Sequence, residues 1–160
     1  MRRRRFEFLK YNNNWIKDPK TEPEIFINEF MIHACGGTDC PEDIVYAIYT
    51  HYRDGYCWHF AHMLKDVFKR GTICWAAPDI HIVWIDTDGT AYDAGGKVTY
   101  ERPCYYIPEK YLGKFSKSFK HISPKYDKEY QALRTTLIKI MKRYCFLNHI
   151  KYDQSVENYI

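Results

Sequence analysis

The feature that most constrains this chain is the run from Cys57 to Asp93, where a helical spacing of apolar residues gives way to strand composition. Apolar residues at 57, 60, 61, 64, 67 and 68 recur at intervals of three, four and seven, which places them on one stripe of a helix. Arg70-Gly71 supplies a stop. The segments "TICWAA" and "IHIVWID", rich in Ile, Val and Trp and separated by Pro78-Asp79, then read as strands. Asp88-Gly89 is a turn dipeptide with "TAYDA" beyond it, so residues 80 to 94 read as a β-hairpin. A one-striped helix running straight into antiparallel strands must bury that stripe against the sheet they form.

The flanking segments fit the same plan. Ile25, Phe26, Phe30 and Met31 have helical spacing behind Pro23, and Gly36-Gly37 ends the pattern. Pro41, Glu42 and Asp43 suit the first turn of a second helix, carried by Ile44, Val45, Ile48 and Tyr49 to about Tyr52. Gly95-Gly96 leads into a short strand, "KVTY", and the chain after Pro103 reads as loop and short helix. A long amphipathic helix over 125–148 follows, apolar at 130, 133, 137, 140, 141 and 144. The expected class is α+β, with helices packed on a small antiparallel β-sheet. Its 160 residues suffice for one domain with a real core. Residues 1–22 read as an N-terminal arm, with a short strand expected near Phe6 to Tyr11.

Charge and cysteine usage narrow the functional classes. No apolar run is long enough to span a bilayer, so no membrane role is expected. "MRRRRFEFLKY" has the charges of a secretory signal but no apolar core behind them, so the expected location is cytoplasmic. Without a sign of export, Cys35, Cys40, Cys57, Cys74, Cys104 and Cys145 read as reduced thiols. "CGGTDC" lacks zinc-knuckle spacing, and His59 and His62 have no third ligand at suitable spacing, so neither a metal nor another cofactor is expected. The net charge of +4 does not require a nucleic-acid partner. Arg2, Arg3, Arg4 and Arg5 read either as a solvated terminus or as a phosphate-binding arm, and a second basic stretch runs from Lys110 to Lys128.

Cys57 follows a Gly-containing turn and opens a helix, the position where unpaired N–H groups and the helix dipole favour a thiolate. His81 and Asp93 fall on the two arms of the hairpin. With a two-residue loop at Asp88-Gly89, Asp93 stands opposite Trp84, three positions from His81. A bulge or a longer loop is needed to bring the pair together. Taken singly, Cys57 reads as a small core residue, His81 as a strand histidine and Asp93 as a turn residue. His59 is a weaker alternative base, because two residues along a helix it faces away from Cys57. Cys74 and the tyrosines of the last helix, Tyr130 and Tyr144, read as core.

In this order, with "GYCWHFAHMLKDVFKRGTICWAA" and then "HIVWIDTDGTAYDAGG", the chain resembles the transglutaminase-like cysteine enzymes of the papain-like superfamily over residues 52 to 97. The resemblance implies a papain/transglutaminase-like core with a catalytic triad of Cys57, His81 and Asp93. It further implies a thiol peptidase or amidohydrolase acting on a protein or peptide, or acyl transfer of the transglutaminase or deamidase type. The Cys57 backbone N–H is a candidate oxyanion donor, with Tyr52 and Tyr56 candidates for the second. The rival expectation is a non-catalytic binding or inhibitor protein whose arginine arm and tyrosines contact nucleic acid or a nucleoprotein. The sequence leaves oligomeric state open.

Overall fold

Thr21 starts the first helix by a reciprocal cap: its hydroxyl accepts from the Glu24 N–H, while the Glu24 carboxylate accepts from the Thr21 N–H at 3.0 Å. The structure, a computed structural model, describes residues 18–113 and 127–160. Helix α1 (Glu22–Ala34) buries Pro23, Ile27 and Met31 along one face and ends where Gly36 and Gly37 turn to positive φ. Helix α2 (Glu42–Thr50) buries no side chain completely and continues into a π-turn, His51–Gly55, closed by Tyr56 N–H donating to the His51 carbonyl. Helix α3 (Cys57–Phe68) buries Cys57, Phe60, Ala61 and Leu64. Fully burying a side chain such as Leu64 contributes about 1.5–3 kcal/mol. Val67, expected on the buried stripe, is 46% exposed, whereas Phe68 beside it stacks on Trp84 of the sheet at 5.3 Å. Lys69 adopts the left-handed conformation that ends α3, one residue before the expected stop.

The sheet has five antiparallel strands in the order β4-β3-β2-β1-β5. They are β1 (Thr72–Ala77), β2 (Ile82–Ile85), β3 (Ala91–Asp93), β4 (Gly96–Lys97) and β5 (Tyr105–Pro108). Strand β4 is shorter than "KVTY" suggests. Strand β5 replaces the loop expected after Pro103, and pairs with β1 from Cys74 opposite Pro108 to Ala77 opposite Tyr105. Its one proline, Pro108, fits an edge strand, where a missing ladder N–H is tolerated. Helix α4 (Asp127–Leu147) buries Leu137 and Met141, with Leu133, Ile140 and Tyr144 packed beside them.

One face of the sheet, with Ile73, Trp75, Ala77, Ile82, Trp84, Tyr92 and Ile107, meets the helices in the main core. The other carries a smaller cluster of Cys74, Ala76, Val83 and Ala91, against which Val98, Tyr100 and Tyr106 pack. Among the described residues no helix is long and apolar enough to cross a membrane. Arg2 to Arg5, the Phe6 to Tyr11 strand, most of the Lys110–Lys128 basic stretch and the side chain of Tyr130 lie outside the described residues.

Candidate active site

The hairpin loop decides the geometry. Asp86 N–H donates to the Thr90 carbonyl at 2.9 Å, and Gly89 N–H donates to the Asp86 carbonyl at 3.0 Å, with Gly89 at φ +85°. The loop is therefore three residues, Thr87-Asp88-Gly89, a turn closed by a left-handed glycine. Trp84 faces Tyr92 and Ile85 faces Ala91, so the register continues with Asp93 opposite Val83. That corrects the two-residue loop by one position, and in a strand one position decides the side of the sheet. His81, two residues before Val83, now projects to the same side as Asp93. It lies just ahead of β2, where its carbonyl accepts from Ala76 N–H at 2.9 Å.

His81 Nε2 lies 2.8 Å from Asp93 Oδ2, and both residues are buried, 3% and 8% exposed. The second carboxylate oxygen, Oδ1, accepts from Gly95 N–H at 2.7 Å. Both oxygens of Asp93 thus serve as acceptors, which assigns the proton on that side of the imidazole to Nε2. Burial raises the Asp93 pKa, but the bonds from His81 and Gly95 and the charge of Arg53 outweigh it and hold the carboxyl below its ordinary value. Tyr100 is also close, its own ionisation pushed far up by burial and by Asp93.

The other imidazole nitrogen, His81 Nδ1, is buried without an aligned hydrogen-bond partner. The Cys57 thiol, which is 4% exposed, interacts with the same imidazole. Burial pushes this thiol up, yet its ionisation falls below the ordinary cysteine value. The opposing causes are the bond and charge of His81, then the backbone N–H groups of Ile82 and Trp58. Reciprocally, burial lowers the His81 pKa while Asp93 and Cys57 raise it, with the net pushed up to about 9. The two directions together favour a thiolate–imidazolium pair.

Helix α3 supplies the rest of the field. Its N-cap, Tyr56, makes no side-chain capping bond, so the first-turn N–H groups are directed toward the cysteine end without a competing side chain. The rings of both tyrosines offered as the second oxyanion donor pack against their neighbours. Tyr52 packs edge-on against Phe30 and also meets Phe60, and the Tyr56 ring stacks on His51 at 4.1 Å. The Cys57 backbone N–H keeps its place at the head of the helix.

The other expected sites resolve as follows. His59 is exposed, with its ring against Tyr56 and Trp58. His62 Nε2 lies 3.2 Å from a Glu109 carboxylate oxygen, and the same carboxylate accepts from the Trp58 indole N–H at 2.6 Å. This cluster ties α3 to the end of β5, and it was not legible in the sequence because Glu109 lies beyond the unexpected strand. All six cysteines are free thiols, and burial pushes Cys74 and Cys104 up to about 12. Among the described residues no group of three or more His, Cys, Asp or Glu is arranged to hold a metal ion. A cleft of about 320 Å³ is lined by Ala34, Ala47, Ile48, His51 and Tyr52, and by none of the three candidate catalytic residues. No protein-family model, no curated protein and no solved structure matches the chain.

Proposed function

We propose that this protein is a cysteine enzyme that cleaves an amide of a protein or peptide, built on a core like that of the transglutaminase-like branch of the papain-like superfamily. The observation that carries the reading is the buried His81–Asp93 pair, whose imidazole also interacts with the thiol of lowered pKa at the head of α3. His81 takes the Cys57 proton, and Asp93 holds Nε2–H so that Nδ1 remains the working nitrogen. The thiolate attacks the carbonyl carbon, a C–S bond forms, and the oxyanion is held by the Cys57 N–H. The C–N bond then breaks as the His81 imidazolium passes its proton to the leaving nitrogen, leaving a thioester on Cys57. Water, giving up a proton to His81, resolves the thioester to an acid and frees Cys57. An amine in place of water gives acyl transfer by the same residues.

The test is incubation with a mixed peptide pool read by mass spectrometry. New termini or deamidated side chains are expected with the wild-type chain and not with Cys57→Ala. Products that persist in Cys57→Ala would overturn the assignment of Cys57 as nucleophile.

A further inference from the structure

Resting on that reading, the structure assigns positioning roles to Tyr49 and Gly95: together they wedge the Asp93 carboxylate against His81. Asp93 is held from two sides, by His81 Nε2 on Oδ2 and by Gly95 N–H on Oδ1 at 2.7 Å. Gly95 can stand this close because it carries no side chain. A Cβ added there would lie 2.9 Å from Tyr49 Cε2, 3.2 Å from the Tyr49 hydroxyl oxygen and 3.2 Å from Asp93 Oδ1. The Tyr49 ring therefore fills the space a side chain at 95 would need, and it packs the glycine backbone into the donor position that Asp93 uses. The φ of Gly95 is not in the left-handed region. The requirement for glycine is thus one of space and not of backbone conformation.

Tyr49 belongs to the last turn of α2, and Arg53 follows it by four residues in the π-turn. Arg53 adds positive charge toward Asp93. The segment that leads into Cys57 thus also backs the carboxylate, so one stretch of chain sets both ends of the proposed triad. The titratable groups around Asp93 are His81, Arg53, Tyr100 and Tyr49, and those facing His81 are Asp93 and Cys57.

The experiment measures the pH profile of iodoacetamide alkylation at Cys57, with thermal unfolding alongside, for wild type, Gly95→Ala, Tyr49→Ala and Tyr49→Phe. Gly95→Ala and Tyr49→Ala are expected to slow alkylation at pH 6 by roughly tenfold, equivalent to about one pH unit in the thiolate midpoint. Tyr49→Phe, which keeps the ring, is expected to slow alkylation less than Tyr49→Ala does. If Gly95→Ala does not fold, Tyr49→Ala alone decides. A Tyr49→Ala protein that unfolds earlier yet keeps the wild-type profile would reduce Tyr49 to packing and overturn the proposal. A wild-type Cys57 with no enhanced reactivity at pH 6 would instead remove the triad reading on which it rests, so the two failures are distinct.

Discussion

Replacing Asp93 by Asn keeps the shape of the side chain and changes which hydrogen bonds it can make. Asp93 accepts two bonds, from His81 Nε2 and from Gly95 N–H, whereas an amide has one accepting oxygen and one donating NH2. A backbone N–H cannot give up its proton, so the Asn oxygen stays on Gly95 and the NH2 faces Nε2. His81 must then hold its proton on Nδ1, the nitrogen beside Cys57, and can no longer take one from the thiol. The magnitude follows from His81, whose pKa is raised from 6.5 to about 9 although burial alone would lower it. At about 1.4 kcal/mol per unit, the partners together supply on the order of 3 kcal/mol. Asp93 has the larger effect of the two partners. Its loss should therefore reduce the thiolate fraction near pH 6 by ~10-fold to ~100-fold. The assay is the pseudo-first-order rate of Cys57 alkylation from pH 5 to 9, with circular dichroism to confirm folding. A folded Asp93→Asn protein that reacts at pH 6 within twofold of wild type would refute the tautomer argument.

Three further outcomes follow from the same structure. A raised histidine pKa stabilises the fold fully below the unfolded value of 6.5 and ceases to do so as pH rises through about 9. The urea-measured stability gap between wild type and Asp93→Asn should accordingly be widest near pH 6 and narrow toward pH 9; a gap independent of pH would contradict the linkage. Gly71→Ala should cost about 3 kcal/mol or more, because Gly71 holds φ +76° and a Cβ would stand 2.4 Å from the Ile85 carbonyl oxygen and 2.5 Å from Trp84 Nε1. A loss below 1 kcal/mol in chemical denaturation would show that the β1–β2 entry relaxes more easily than its packing implies. Deleting residues 1 to 5 should leave Cys57 alkylation unchanged, whereas a nucleic-acid role for Arg2 to Arg5 would appear as salt-sensitive binding that survives Cys57→Ala and disappears with the deletion.

The elements were legible in the sequence wherever one periodicity held over a long stretch. The stripe of α3 and the β-branched runs of β1 and β2 marked the helix and strands that frame the site. The loop length was not legible, because "DTDGT" supports both a two-residue and a three-residue turn. Hydrogen bonds from Asp86 and Gly89, with Asp88 Oδ1 accepting from Thr90 N–H at 2.8 Å, select the longer one. That single residue of register brings His81 and Asp93 to one side of the sheet. Strand β5 was hidden by Pro103 ahead of it and Pro108 at its end, which read locally as loop. The π-turn was hidden because Gly55 signals a break, while the structure widens the helix by one residue and restarts it at Cys57. Tyr49 read only as part of the apolar face of α2. Its contact with Gly95 exists only once α2 is docked on the β3–β4 turn.

The pairing of Cys57 with His81 is tested most directly by the selectivity of iodoacetamide among the six cysteines at pH 6, read by peptide mass spectrometry in wild type and His81→Ala. Burial pushes Cys74, Cys104 and Cys145 up, so they should be slow at that pH, while Cys57 is held down by His81. The account predicts that Cys57 is modified first in wild type despite its burial, and at least tenfold more slowly in His81→Ala. A Cys57 that is inert, or that reacts at the same rate with and without His81, would contradict it.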